Sequence, residues 1–266
     1  MSRGRGRAGG KTASGKPTGD QVEGRHAVRE LLRAGRRRVR SVWLSEGQDP
    51  SPVLAEIVEL AEERAVPIRR VNPTRLMAEA RTTAPQGVIA RAEPVPLVPF
   101  EDLLRAGNGG PPFVLAIEGV TDPGNLGGLL RTAVGAGVTG AVLPKHRSSP
   151  LSPAAVKAAA GAVEVLPLSV VGGLPAALAR AREQGLWVVG LDPGAPPIWD
   201  LELVTEPVVV VVGAEGSGLT RLTRARCDAL GGIPMTGPLE SLNVAAAGAV
   251  ALFDVARRRI EPNARL

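Results

Sequence analysis

The chain has 266 residues and a mass of 27.4 kDa, enough for one large domain or two modest ones. Hydrophobic residues at 44% and charged residues at 22% exclude wholesale disorder, while aromatics at 2%, with no tyrosine, leave the core to Val, Leu, Ile and Ala and argue against stacking platforms for single strands. One cysteine (Cys227) and two histidines (His26, His146) exclude a disulfide scaffold and a zinc finger; with no apolar run of about 18 residues and no secretory segment, the expectation is a cytoplasmic protein without membrane or metal.

The net charge of +6 is unevenly placed. Residues 1–40 hold twelve Lys and Arg against three acids, and the rest of the chain 20 against 23. Residues 1–20, rich in Gly, Ser and Arg, read as a disordered basic arm. The cluster Arg36, Arg37, Arg38 and Arg40 falls on folded structure. Such patterns commonly bind phosphate backbones; the alternative is a solubilising tail.

In chain order, Glu23–Ala34 has helical spacing (Val28, Leu31, Leu32) and Gly35 as its stop. Val39–Leu44 alternates like a strand, Ser51-Pro52 opens a helix to about Arg64, and Val66–Val71 reads as a strand. Asn72-Pro73 opens another helix, and Gly87–Ala92 is again a strand. This small α/β unit, 21–92, ends at 93–99, where three prolines in seven residues predict a stiff, extended linker. From residue 100 onward, apolar runs at Phe113–Glu118, Thr139–Leu143, Val163–Leu168, Leu186–Gly190 and Val208–Val212 predict strands. Helical stretches lie between them at Leu126–Ala136, Pro153–Ala160, Leu174–Gln184 and Leu219–Ala229, with a last helix from Leu242 to about Arg259. Strands apolar throughout, alternating with helices, predict an α/β domain with a parallel sheet covered on both faces.

Ligands bind at the carboxyl ends of such strands, so the loops there carry the chemistry. After Val208–Val212 comes Gly213-Ala-Glu-Gly-Ser-Gly218, whose glycines allow close backbone approach to a ligand. Its spacing is neither a dinucleotide fingerprint nor a P-loop, and a tight strand-to-helix turn alone would need glycine. After Phe113–Glu118 comes Asp122-Pro-Gly-Asn125-Leu-Gly-Gly-Leu-Leu-Arg131-Thr-Ala, which places Asn125 at a helix cap and Arg131 on an otherwise apolar helix. A third loop, Ile233-Pro-Met-Thr-Gly-Pro-Leu-Glu-Ser241-Leu-Asn243-Val-Ala-Ala-Ala, precedes the last helix, which Ser241 could cap.

Together, in that order and at those intervals, the three loops resemble the signature motifs of the SpoU family of RNA ribose 2′-O-methyltransferases, within the knotted SPOUT superfamily. The resemblance covers about residues 113–259. Residues 21–92, including Gly24-Arg-His-Ala-Val-Arg-Glu-Leu-Leu and Gln86-Gly-Val, resemble the ribosomal-protein-like substrate-binding domain of the family's 23S rRNA members. Pro85 stands where the family often has His, Gly124 replaces a bulkier residue, and Ala245 a frequent Ser. The resemblance implies a C-terminal trefoil knot, exceptional under ordinary folding rules, and a homodimer with the last helix in the interface. It implies S-adenosylmethionine as cofactor, against Gly213, Gly216, Ile233, Met235 and Leu242. It places Asn125, Arg131, Glu215, Ser241 and Asn243 around the reacting hydroxyl. It further implies RNA contacts from the N-terminal domain, for which Arg25, Arg36, Arg37, Arg38 and Arg40 are the candidates. A guanidinium has no lone pair to act as a base, so Arg131 is better cast as a clamp on phosphate and emerging alkoxide; Glu215 is left two roles, orienting Arg131 or accepting the proton. The expected function is 2′-O-methylation of a ribose in RNA, a 23S rRNA guanosine above others. The alternatives are a drug-resistance rRNA enzyme, a tRNA enzyme, and a non-catalytic RNA-binding dimer.

Overall fold

The computed structural model describes residues 19–105, 110–146 and 148–260. The N-terminal part runs β1 (Gln21–Glu23), α1 (Arg25–Ala34), β2 (Val39–Ser45), α2 (Pro52–Glu63), β3 (Ile68–Val71), α3 (Pro73–Glu79) and β4 (Val88–Ala92). Its sheet has the order β1-β4-β2-β3, with β2–β3 parallel and the other pairs antiparallel. Strand β1 carries too few residues to show a pattern in the sequence. Gly19 and Asp20, expected in the arm, already belong to the fold: Asp20 O accepts from Ala92 N at 2.9 Å. The rest of the arm, 1–18, lies outside the described residues.

The remainder runs α4 (Phe100–Leu103), β5 (Phe113–Ile117), α5 (Pro123–Gly135), β6 (Gly140–Pro144), α6 (Pro153–Ala158), α7 (Ala162–Val165), β7 (Leu168–Val171), α8 (Leu174–Glu183), β8 (Trp187–Leu191), β9 (Val208–Val212), α9 (Arg221–Arg224), β10 (Ala229–Gly231) and α10 (Val244–Ile260). Six strands form an all-parallel sheet, β10-β8-β9-β5-β6-β7. Side chains alternate across it: Phe113, Leu115 and Ile117 of β5 pack with α5 and α10, whereas Val114 and Ala116 pack with α4 and α8. The expected parallel sheet with two covered faces is what forms.

Helices α2, α3, α5 and α6 start with one device. A polar side chain (Ser51, Asn72, Asp122, Ser152) accepts from the backbone N–H three residues on, and the next residue is proline. At α5 this moves the cap from the expected Asn125 to Asp122, and Asn125 becomes the third helical residue. Two other expectations are corrected. The apolar run 163–168 is not a strand: Gly161, at φ +98°, starts the short helix α7, whose Ala162 and Val163 pack into the core, and the strand follows at Leu168–Val171. The helix expected over 219–229 shrinks to α9 and gives way to the edge strand β10.

The proline-rich connector is extended and docked, Val98 N donating to Leu168 O at 2.9 Å beside β7. Core side chains run without a break from Val28 and Leu31 through Ala155 and Val163 to Leu126 and Leu252, so the two sheets share a core. Arg37 closes that seam. Its guanidinium holds Glu164 with Nε at 3.0 Å and Nη2 at 2.5 Å, and Nη1 donates to Gly19 O and Glu93 O. Both side chains are 2% exposed or less. At the far end, Arg259 of α10 donates to carbonyls of Pro111, Pro112, Val204 and Glu206 and lies over Phe113. Burial pulls its pKa down. No helix among the described residues is long and apolar enough to cross a membrane.

Candidate active site

The three loops singled out in the sequence meet at the carboxyl ends of β5, β8, β9 and β10. The glycine loop after β9 closes on itself, with Ala214 N donating to Gly218 O at 3.0 Å and Gly218 N to Ala214 O at 2.8 Å. Gly213 has no room for a side chain: a Cβ there would lie 2.3 Å from the Gly218 carbonyl carbon. Glu118, at the end of β5, fixes the other end of the loop by accepting from Thr220 N (2.9 Å), Thr220 Oγ1 (3.0 Å) and Thr223 Oγ1 (2.5 Å). Below it Cys227 Sγ lies 3.4 Å from Thr223 O, and burial, helped by Asp228 and Glu118, pushes its thiol up to about 11. Sequence reading assigned Glu118 no role; an acid terminating a wholly apolar strand was the signal.

Asn243 orders the centre of the site. Its Oδ1 accepts from Ala245 N (2.9 Å) and Ala246 N (3.4 Å), so Asn243, not Ser241, caps α10. With Oδ1 committed, Nδ2 must donate, and it does so to Asn125 Oδ1 (2.9 Å) and Glu215 Oε1 (3.2 Å). Asn125 then has only its own Nδ2 left, which donates to Glu215 Oε2 at 3.2 Å. One cap therefore fixes both amides and aims both carboxylate oxygens. Residues 90 and 118 positions apart converge here.

Beside this cluster a cleft of about 220 Å³ is walled by Leu191, Val212, Ile233, Met235, Leu242 and Val244 and by the backbone of Gly213–Gly218, with Ser241 on its rim. Gly213, Gly216, Ile233, Met235 and Leu242, the expected cofactor contacts, all line it. Apolar walls, open backbone N–H and C=O groups and the carboxylates of Asp192, Glu215 and Glu240 suit a small ligand with an apolar body and positive charge. Among the described residues no cluster of three His, Cys, Asp or Glu could hold a metal ion.

Arg131 stands apart. It lies six residues beyond Asn125 on α5, about 9 Å along the axis and off the Asn125 face. It is exposed and makes no hydrogen bond or ion pair among the described residues. The N-terminal arginines also separate. Arg36, Arg38 and Arg40 are exposed along a groove shared with Arg64. Arg25 is half-buried, holding Gln86 O (3.1 Å) and Gln48 Oε1 (3.3 Å). Arg37, expected to contact RNA, is buried against Glu164 with every donor group engaged, which removes it from any surface.

Residues 112–253 match the model of the SpoU rRNA methylase family, and residues 21–98 that of the RNA 2′-O ribose methyltransferase substrate-binding family. The chain is 40% identical over 243 residues to the 23S rRNA (guanosine-2′-O-)-methyltransferase RlmB of Pseudomonas putida, covering 90% of this chain and 97% of that one. It is 36% identical over 241 residues to the RlmB of Escherichia coli K12, covering 90% and 99%. Among solved structures it resembles the SpoU methyltransferase AviRb of Streptomyces viridochromogenes in complex with AdoMet, at 25% identity and a TM-score of 0.73 over 90% of each chain.

Proposed function

The chain belongs to the SpoU family of RNA methyltransferases, and from that premise we propose that it is an S-adenosylmethionine-dependent enzyme that methylates the ribose 2′-hydroxyl of a guanosine in 23S rRNA. The observation that carries the reading is the Asn125–Glu215–Asn243 cluster, assembled from three distant loops at the mouth of a cleft whose glycine floor admits a ligand against bare backbone. S-adenosylmethionine supplies an electrophilic methyl on a sulfonium centre. The chain must do the rest: align the ribose oxygen with that methyl and take up the hydroxyl proton as the C–O bond forms. Glu215 is the ionisable acceptor of the cluster. Two amide N–H groups hold its oxygens, leaving lone pairs toward the open side for the hydroxyl. Ser241, on the same rim, adds a hydroxyl for positioning. Arg131 cannot be the base, having no lone pair; standing apart from this cluster, it is cast as a clamp on a phosphate of the substrate.

We further propose a homodimer through the C-terminal part. Val134, Val250 and Phe253 are 38%, 41% and 51% exposed, and Phe253 lies over Gly135 where α5 meets α10. Arg131 precedes Val134 by three residues, so covering this patch with a second copy carries Arg131 into the interface. Residues 21–92 hold the RNA, 93–99 connect, and 100–266 carry the chemistry, with the last segment threaded as the family's knot. The cytoplasm is the place of work.

Incubating the protein with labelled S-adenosylmethionine and an unmodified 23S rRNA transcript tests the reading. Label on one guanosine ribose is expected. Transfer to tRNA instead would reassign the substrate, and cofactor binding without transfer to any RNA would leave the non-catalytic dimer.

A further inference from the structure

The N-terminal sheet has two unlike faces. Val22, Val42, Leu44, Val88 and Ala90 pack toward α1. The alternate residues, Trp43 and Ile89, form a separate small cluster with Leu76 of α3. Around that cluster the face is basic. Arg69 lies opposite Trp43 across the β2–β3 ladder, Arg91 opposite Ser41 across β2–β4, and Arg75 extends from α3. Their guanidinium carbons stand 5.7, 5.4 and 5.8 Å from the Trp43 ring centroid. Three like charges thus gather about one ring. Arg91 is paired with Glu79, whereas Arg69 and Arg75 are exposed and have no acidic partner among the described residues. Next to them Arg40, Arg81 and Arg91 border a hollow in which Asp20 is the one acid. Arg40 also borders the groove of Arg36, Arg38 and Arg64, so the basic surface is continuous around the sheet edge.

Trp43 is only 7% exposed. It cannot stack on a base, as the aromatic residues of single-strand binders do. It serves instead as a pedestal that holds guanidinium groups by cation–π attraction with their donors outward. Planar forks held this way match phosphate oxygens. We propose that this face, centred on Arg69 and Arg75 above Trp43, is where the sugar–phosphate backbone of the substrate RNA docks. The proposal rests on the reading of the protein as an RNA methyltransferase and adds to it the surface, and the mode, by which the N-terminal part holds RNA. The contact is electrostatic and blind to sequence, so it sets register while the cleft selects the nucleotide.

The test compares the full-length protein with R69Q/R75Q and R69K/R75K for affinity toward an unmodified 23S rRNA transcript across a salt series. Two lost phosphate contacts should weaken binding by about tenfold or more and flatten the log–log salt slope by about 1.5. The lysine pair should keep most of the slope. Melting temperature and S-adenosylmethionine affinity should match wild type in both variants. Unchanged affinity and slope in R69Q/R75Q would overturn the surface while leaving methyl transfer by the wild type intact. Equal displacement of the transcript by polyglutamate would show a general acidic-protein site and overturn it as well. A wild type that neither binds nor methylates the transcript would overturn the enzymatic reading too, an outcome that no arginine variant can mimic.

Discussion

Two polar clusters in this molecule are built in opposite ways. At the seam between the sheets, Arg37 and Glu164 are buried, bidentate and complete, with the remaining guanidinium donor taken by Gly19 O and Glu93 O. At the mouth of the cleft, Asn125, Glu215 and Asn243 are joined by longer bonds of 2.9–3.2 Å and face solvent, and among the described residues the carboxylate has no cation. The seam satisfies itself and so can only hold the fold together. The mouth holds its groups in place without using them up. That difference separates structural polarity from polarity kept for a substrate.

The largest effect is expected at the seam. Arg37→Leu strands a buried carboxylate, and urea unfolding should show a loss of about 3–5 kcal/mol. Arg37→Leu with Glu164→Leu should recover most of it; a cost under about 1 kcal/mol for the single change would mean that water reaches the pair. At the cleft floor, Gly213→Ala forces the loop apart by pressing on the Gly218 carbonyl. It should cost about 1–3 kcal/mol and, by calorimetry, remove S-adenosylmethionine binding.

Asn243→Asp separates the two duties of one residue. A carboxylate still accepts from Ala245 N and Ala246 N, so melting should barely move. The donor to Glu215 is replaced by a like charge, so kcat should fall by roughly 10- to 100-fold. Like charge raises a carboxyl pKa, so the acid limb of the rate profile should shift to higher pH. Asn243→Ala should lose the cap as well, about 1 kcal/mol. The smallest effect is at Cys227, whose thiol is pushed up to about 11. Alkylation by iodoacetamide at pH 8 should be slower in the folded than in the unfolded protein. Because the folded chain keeps a proton that the unfolded chain has lost, stability should decline as pH rises from about 9 to about 11.

Most of the frame was legible because its signals are local. Apolar runs marked β5, β8 and β9, and the loop after β9 carried the glycines and Glu215 found around the cleft. The Asp122 cap was equally legible: Asp122-Pro123 repeats the Ser51-Pro52 pattern, and reading it would have put Asn125 inside the helix, free to reach Glu215. Arg37 was not legible. Within a run of four arginines nothing local tells the buried one from its exposed neighbours, and its partner lies 127 residues away. Nor could periodicity tell the apolar run at Val163 from a strand, since both a core helix turn and a buried strand are apolar throughout. The place of Arg131, outside the cluster it was expected to join, follows from spacing alone: six residues beyond Asn125 on a helix of 3.6 residues per turn, it faces another side.

The last helix has a consequence in time. Leu242, Val244 and Ala247 of α10 and its lead-in wall the cleft, Asn243 holds Asn125 and Glu215, and Arg259 fastens the far end to carbonyls beside β5 and β9. A ribosome that has reached residue 240 has therefore made the whole N-terminal sheet and every strand of the second one, yet the cleft still lacks one wall. At roughly 5–20 residues per second, the last strand of the N-terminal sheet is made on the order of ten seconds before the residues that close the cleft. The cleft is therefore the last part of the described fold to close, after the strands of both sheets have been synthesised.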